Sequence, residues 1–217
     1  MKKIFYLIIT IISIQITMAQ SPVYGIKGGT NFSTILTDFE SPLDYKYKAG
    51  FQVGGFVKMK LVDQLYFQPE LLYSLQGTQY DFSTIDINQP QDQSDPLFDD
   101  NITGIKSNES NIILPLLLKY YFNEKFNFQF GPQLDYMFNV TADNIELDGG
   151  IIVVNGKNSR SVSDFNWGID FGMGYDFSKR IGLDLRYNYG FNRSDLGDST
   201  FRYGNSVFQL NLEYRFN

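Results

Sequence analysis

Eight charged side chains are the best candidates for chemistry in this sequence: Glu70, Lys119, Asp135, Asp170, Asp184, Arg186, Glu213 and Arg215. Carboxylates beside lysine and arginine have the makings of an acid–base site, in which one group gives a proton and another takes one. The same set also reads as a mutually paired polar network with a structural role, and that is the expectation carried forward. No catalytic, cofactor-binding or metal-ligating residue is assigned. The chain has no His and no Cys. Serine nucleophiles activated by histidine, thiol nucleophiles, thiolate metal sites and most zinc sites are therefore excluded.

Two further stretches carry some chemical content. The segment from Thr78 to Glu109 is acidic, and Asp92, Asp95, Asp99 and Asp100 offer oxygen ligands of the kind Ca²⁺ takes. Their spacing matches no EF-hand, so a solvated acidic loop is the simpler reading. Gly25 to Gly29 lacks the spacing and the following helix of a phosphate-binding loop.

The elements that must hold these side chains have a period of two. Phe208, Leu210, Leu212, Tyr214 and Phe216 alternate with Gln209, Asn211, Glu213 and Arg215. Ile181 to Phe191 and Phe165 to Phe177 repeat the pattern, with Asp184, Arg186 and Asp170 on the polar side. Phe126 to Asn139 repeats it again, with Asp135 on the polar side. Such strands put one face in an apolar medium and one in a polar medium. Val23–Phe32, Gly50–Leu61, Leu65–Gly77 and Ser110–Phe122 complete a set of about eight strands. Pro69, Pro115 and Pro132 fall inside strands, where a missing N–H breaks the ladder, so bulges are expected at these positions.

The connections alternate in length. Leu61–Leu65, Phe122–Phe126 and Phe177–Ile181 are tight and alike, whereas Ser33 to Ala49, Thr78 to Glu109, Thr141 to Ser163 and Arg193 to Tyr203 are long. Short turns on one side and long loops on the other are the pattern of an outer-membrane barrel. Asp148-Gly149-Gly150 followed by Ile151-Ile152-Val153-Val154 predicts a hairpin that extends above the membrane.

Composition agrees. The chain of 217 residues is 17% aromatic with a formal net charge of −6, which disfavours a nucleic-acid partner. It opens with Met1-Lys2-Lys3 and an apolar run from Ile4 to Ile12, then carries Thr17 and Ala19 at the spacing of a signal-peptidase site. The expected organisation is a signal peptide over 1–19 and a barrel domain over 20–217. No stretch after the signal is apolar enough for a transmembrane helix, so a membrane crossing must use a closed barrel. A soluble lipocalin-type barrel would have to fit the aromatic face into one narrow lumen. Facing lipid, those rings have room, and Tyr73, Tyr120, Tyr136, Trp167, Tyr175, Tyr189 and Tyr214 suit interfacial girdles.

Several segments together resemble the PorT-like outer-membrane β-barrel family of Bacteroidetes. They are Ala19-Gln20, the opening Tyr24-Gly25-Ile26-Lys27-Gly28-Gly29, the strand Leu114-Pro115-Leu116-Leu117-Leu118-Lys119-Tyr120-Tyr121-Phe122, and the terminal Leu212-Glu213-Tyr214-Arg215-Phe216. The resemblance spans essentially the whole mature chain. It implies an all-β, antiparallel, up-and-down transmembrane barrel of about eight strands, located in the outer membrane. Outer-membrane lipid and lipopolysaccharide, and the barrel-assembly machinery during insertion, are the implied partners. A periplasmic or secretion partner is compatible with it. Two functions follow as expectations: a closed structural or interaction barrel that is not an enzyme and uses no cofactor, or a small passive pore.

Overall fold

A computed structural model of the chain describes residues 21–37, 44–81, 102–148, 151–196 and 199–216. The proposed signal segment and Asp92, Asp95, Asp99 and Asp100 lie outside the described residues. Among the described residues nine strands form one antiparallel sheet: β1 (Val23–Thr37), β2 (Asp44–Val62), β3 (Leu65–Asp81), β4 (Ile102–Tyr121), β5 (Phe126–Asp148), β6 (Ile151–Asp176), β7 (Ile181–Gly190), β8 (Asn192–Leu196) and β9 (Ser199–Arg215). Neighbouring strands pair around the sheet, and β1 pairs with β9 to close the ring. Both β7 and β8 pair with β9, as Tyr189↔Ser206 and Asn192↔Tyr203, in one unbroken register. They therefore act as a single strand interrupted at Phe191, and the barrel has eight. A closed ring leaves no unpaired edge in the bilayer, which is the condition for strands to cross it.

Alternation becomes geometry in β7, where every second residue from Gly182 to Gly190 is buried. Around the wall, Leu118↔Phe130, Phe130↔Phe171, Phe171↔Tyr187, Tyr187↔Phe208 and Phe208↔Phe32 are successive ladder partners. Of these, Leu118, Phe130, Phe171, Phe208 and Phe32 are each more than two-fifths exposed. In water such a continuous apolar belt would be an association surface; against lipid tails it is the required one. Trp167 stacks on Phe191 at 4.8 Å near the upper rim, and Phe126 meets Tyr175 at 4.6 Å near the turns.

The three short turns each have a local cause. Asn123 Oδ1 accepts from the N–H groups of Lys125 and Phe126 at 2.9 and 2.8 Å. Ser178 Oγ accepts from those of Arg180 and Ile181 at 3.2 and 3.1 Å. Both are side-chain-to-backbone turns of the kind Asn and Ser favour. At the third, Val62 pairs with Leu65, and Gln64 takes a left-handed φ of 69°.

Two expectations change. Bulges do not mark the prolines: register shifts fall at other positions, such as Ser110/Asn111 and Met137/Asn139. Instead Pro69↔Leu116 and Pro115↔Gln133 stay in register, and the ladder skips the positions beside them. A proline removes a bond but need not add a residue, so register survives. The long connections are also shorter than expected. β5 and β6 pair all the way to Asp148↔Ile151, as the hairpin reading predicted, and β8 and β9 pair as far as Leu196↔Ser199. Above the membrane both faces meet water, so alternation lapses while backbone pairing continues.

Candidate functional site

The inward faces of the strands meet in a lumen that eight strands make just wide enough for side chains to fill. All eight residues singled out from the sequence are buried there, each at most 6% exposed. Seven of them join one network. Arg186 on β7 donates from Nη2 to both oxygens of Glu70 on β3, at 3.1 and 3.0 Å. Its guanidinium also lies 3.5 Å from Asp170 and 3.5 Å from Asp184. Lys119 on β4 donates to Glu213 on β9 at 2.6 Å. Arg215 pairs with Glu213 at 3.1 Å and with Asp176. Asp135 does not join them: it sits higher on β5, and its Oδ1 has no hydrogen-bond partner among the described residues.

The residue that sequence reasoning missed is Lys27 on β1. Its ammonium contacts Glu70 at 2.7 Å, Glu213 at 3.2 Å, and Asp184. The signal was available, since Tyr24 and Ile26 point outward and so Gly25 and Lys27 must point inward. Amides complete the network: Gln68 donates to Glu70 and Glu213 at 2.9 Å each, and Asn211 donates to Asp184 at 2.9 Å.

Glu70, Asp184 and Glu213 bring three carboxylate oxygens within 4.8 Å of one another, close enough to hold a metal ion. The Lys27 ammonium already touches all three residues, so the protein supplies its own cation. Charges so far from water are tolerable only when they are paired and hydrogen-bonded, and this arrangement pairs each of them. Amides around the lumen are less fully paired, with unpartnered atoms among the described residues on Asn31, Gln52, Gln68 and Gln209 as well as along the β5–β6 wall. Gln129 has neither side-chain polar atom hydrogen-bonded among the described residues, and Asn127 and Gln133 each have an unpaired oxygen. The adjoining inward positions of β6 are Gly168, Gly172 and Gly174.

Below the network, the lumen opens toward the turns as a cavity of about 480 Å³, lined among others by Lys58, Tyr66, Asp176 and Arg215. Lys58 donates to the Tyr121 hydroxyl at 2.6 Å and lies 4.3 and 4.6 Å from the Tyr121 and Tyr66 ring centres. At the first turn the hydrogen bond from Lys60 holds the Asp63 carboxyl below the ordinary aspartate range.

Comparison with known proteins matches this geometry. No curated protein matches the chain. Among solved structures, a major outer membrane protein of Thermus thermophilus superimposes with a TM-score of 0.52 at 12% identity, covering 91% of this chain and 100% of that one. Neisserial surface protein A is similar with a TM-score of 0.48 at 11% identity, and the attachment invasion locus protein Ail of Yersinia pestis with 0.47 at 15%. Both again cover 91% of this chain and 100% of theirs. The family model described as "Outer membrane protein beta-barrel domain" matches residues 18–196. With an apolar belt, a closed antiparallel ring and most of its length matched, the chain belongs to the outer-membrane β-barrel domain family and is located in the outer membrane.

Proposed function

We propose that this protein is a closed or nearly closed barrel that serves as a structural or interaction protein. It works through its extracellular hairpins and loops or through a periplasmic partner, and it is not an enzyme. The observation that carries this reading is the ion-paired plug. Arg186, Lys27 and Lys119 tie carboxylates on β3, β7 and β9 together across the lumen. A hydrated solute passing on the axis would have to break charge-assisted hydrogen bonds between walls that the barrel holds at fixed separation.

The proposal extends to residues 1–19 as a signal peptide cleaved after Ala19, and to the PorT-like subgroup, whose members imply a secretion-related partner. A small passive pore is the second reading. It draws on the β5–β6 wall, where amide atoms of Asn127, Gln129 and Gln133 that have no hydrogen-bond partner among the described residues adjoin glycines. Buried amides without a partner are costly unless solvated, so this wall is the place where a hydrated path would run.

Conductance of the purified, refolded protein in a planar lipid bilayer separates the two. Silence from correctly folded protein supports the closed barrel. Steady channels whose conductance scales with salt overturn it in favour of the pore.

A further inference from the structure

The periplasmic mouth differs in charge from the rest of the chain. The protein carries 24 acidic and 18 basic residues. Yet the cavity of about 480 Å³ is lined by five of those basic residues, Lys58, Lys60, Lys125, Lys179 and Arg215, against the two carboxylates of Glu124 and Asp176. Lys60 is engaged by Asp63 at 2.8 Å, Arg215 by Glu213 at 3.1 Å and by Asp176, and Lys58 lies 4.0 Å from Asp176, which leaves Lys125 and Lys179 without an ion pair among the described residues. The deepest two, Lys58 and Arg215, are 9% and 4% exposed. The outer two, Lys125 and Lys179, stand on different short turns and are exposed.

Two observations indicate what such a cavity takes. Arg215 lines it, and among the described residues its side-chain hydrogen bonds run from Nη2 alone, to Asp176 and Glu213. Asp176 shows the same donors already gripping an oxyanion: its carboxylate accepts from Tyr121 Oη at 2.9 Å and from Arg215 Nη2, with Lys58 Nζ at 4.0 Å. Arginine offers donors in a fixed fork that fits carboxylate and phosphate, while the lysines on flexible stems adapt to the remainder of a ligand. A volume of this size lies within the range of small-molecule sites.

We infer that the periplasmic mouth is a binding site for a soluble molecule bearing phosphate or carboxylate groups, seated on Arg215 and Lys58 and flanked by Lys125 and Lys179. The site faces the barrel axis at its periplasmic end, away from the lipid belt. It adds a ligand to the interaction reading and does not require the barrel to be closed.

Titration calorimetry of the full chain tests it, with inorganic phosphate and citrate as probes and putrescine as the cationic control. The wild type in maltoside micelles should bind both anions saturably and ignore putrescine, with affinity falling as salt rises. The double variant Lys125→Gln/Lys179→Gln alters only exposed turn side chains, so the barrel should fold, and anion affinity should fall by about fivefold, the scale of two solvent-exposed charge pairs. Repeating the titration in phosphatidylcholine discs distinguishes the source of the oxyanion. Undiminished binding assigns a soluble ligand, whereas loss of binding there means that lipid headgroup phosphates fill the mouth and overturns the soluble assignment. Absence of saturable binding by the wild type, or equal affinity in the double variant, overturns the site itself, whatever the conductance of the barrel.

Discussion

Arg186 on β7 spans the lumen to Glu70 on β3, with Nη2 at 3.0 and 3.1 Å from the two carboxylate oxygens and both side chains fully buried. With β7 and β8 taken as one strand, β7 is the fourth strand from β3 in either direction around the ring, so this contact joins opposite walls.

Removing one partner of that contact should cost far more than removing a surface ion pair. Glu70→Gln leaves the Arg186 guanidinium with a neutral amide where it had two carboxylate oxygens, and breaking a buried pair costs about 3–5 kcal/mol. Urea unfolding in lipid vesicles should show that loss, while Lys60→Gln, which breaks the exposed pair with Asp63, should stay within about 1 kcal/mol. Equal effects would mean that the buried pair is no more than decoration of the lumen.

Lys27 is expected to be as sensitive as Arg186 although it lies on the first strand. Lys27→Met leaves Glu70, Asp184 and Glu213 with oxygens within 4.8 Å of one another and one cation fewer. The variant should lose about 3–5 kcal/mol, the cost of removing one partner of a buried pair. Urea unfolding in lipid vesicles checks this, and a loss no larger than that of Lys60→Gln would contradict it.

The lipid-facing assignment is open to a depth test. Phe171 is outward, 46% exposed, midway on β6 between Tyr175 near the turns and Trp167, which is outward, 50% exposed, at the upper girdle. Phe171→Arg should cost about 2–4 kcal/mol in a bilayer and Trp167→Arg about 0–1 kcal/mol for its charge. Unfolding titrations of the two variants in vesicles give the comparison, and the order reverses only if the belt sits at a different height from the one the aromatic girdles mark.

Close packing of strands makes neighbouring glycines unequal. A Cβ on Gly29 would lie 2.0 Å from the Leu210 carbonyl oxygen and 2.7 Å from Asn211 Cα, both backbone atoms. A Cβ on Gly28 would come no nearer than 3.6 Å to anything outside its own neighbours. Gly29→Ala should therefore destabilise by about 1–3 kcal/mol, the range for overpacking, and Gly28→Ala by no more than about 0.5 kcal/mol. Comparison of their unfolding midpoints in vesicles decides the matter.

Much of this molecule could be read from local pattern. Alternation in Ile181–Phe191 and Phe208–Phe216 is a one-dimensional signal, because a strand sends successive side chains to opposite faces and only one face meets lipid. Turn chemistry is equally local, and Asn123 and Ser178 bond to backbone groups within three residues of themselves. Hence the class of fold, the tight turns and the inward direction of Glu70, Lys119, Asp170, Asp184, Arg186, Glu213 and Arg215 were available from the chain alone.

What each inward charge would meet was not available. Lys27 finds Asp184 and Glu213 across sequence separations of more than 150 residues, and only the closure of β1 on β9 brings them together. Asp135 faces the same lumen on the same alternation yet lies at a height where the network does not reach. Height depends on the stagger of each strand against its neighbours, a property of the whole ring. The same holds for the cationic mouth, where Lys125 and Lys179 come from separate turns and Lys58 and Arg215 from separate strands. Alternation decides which side of the wall a residue occupies; ring closure and stagger decide its partners, because those depend on every register in the sheet at once.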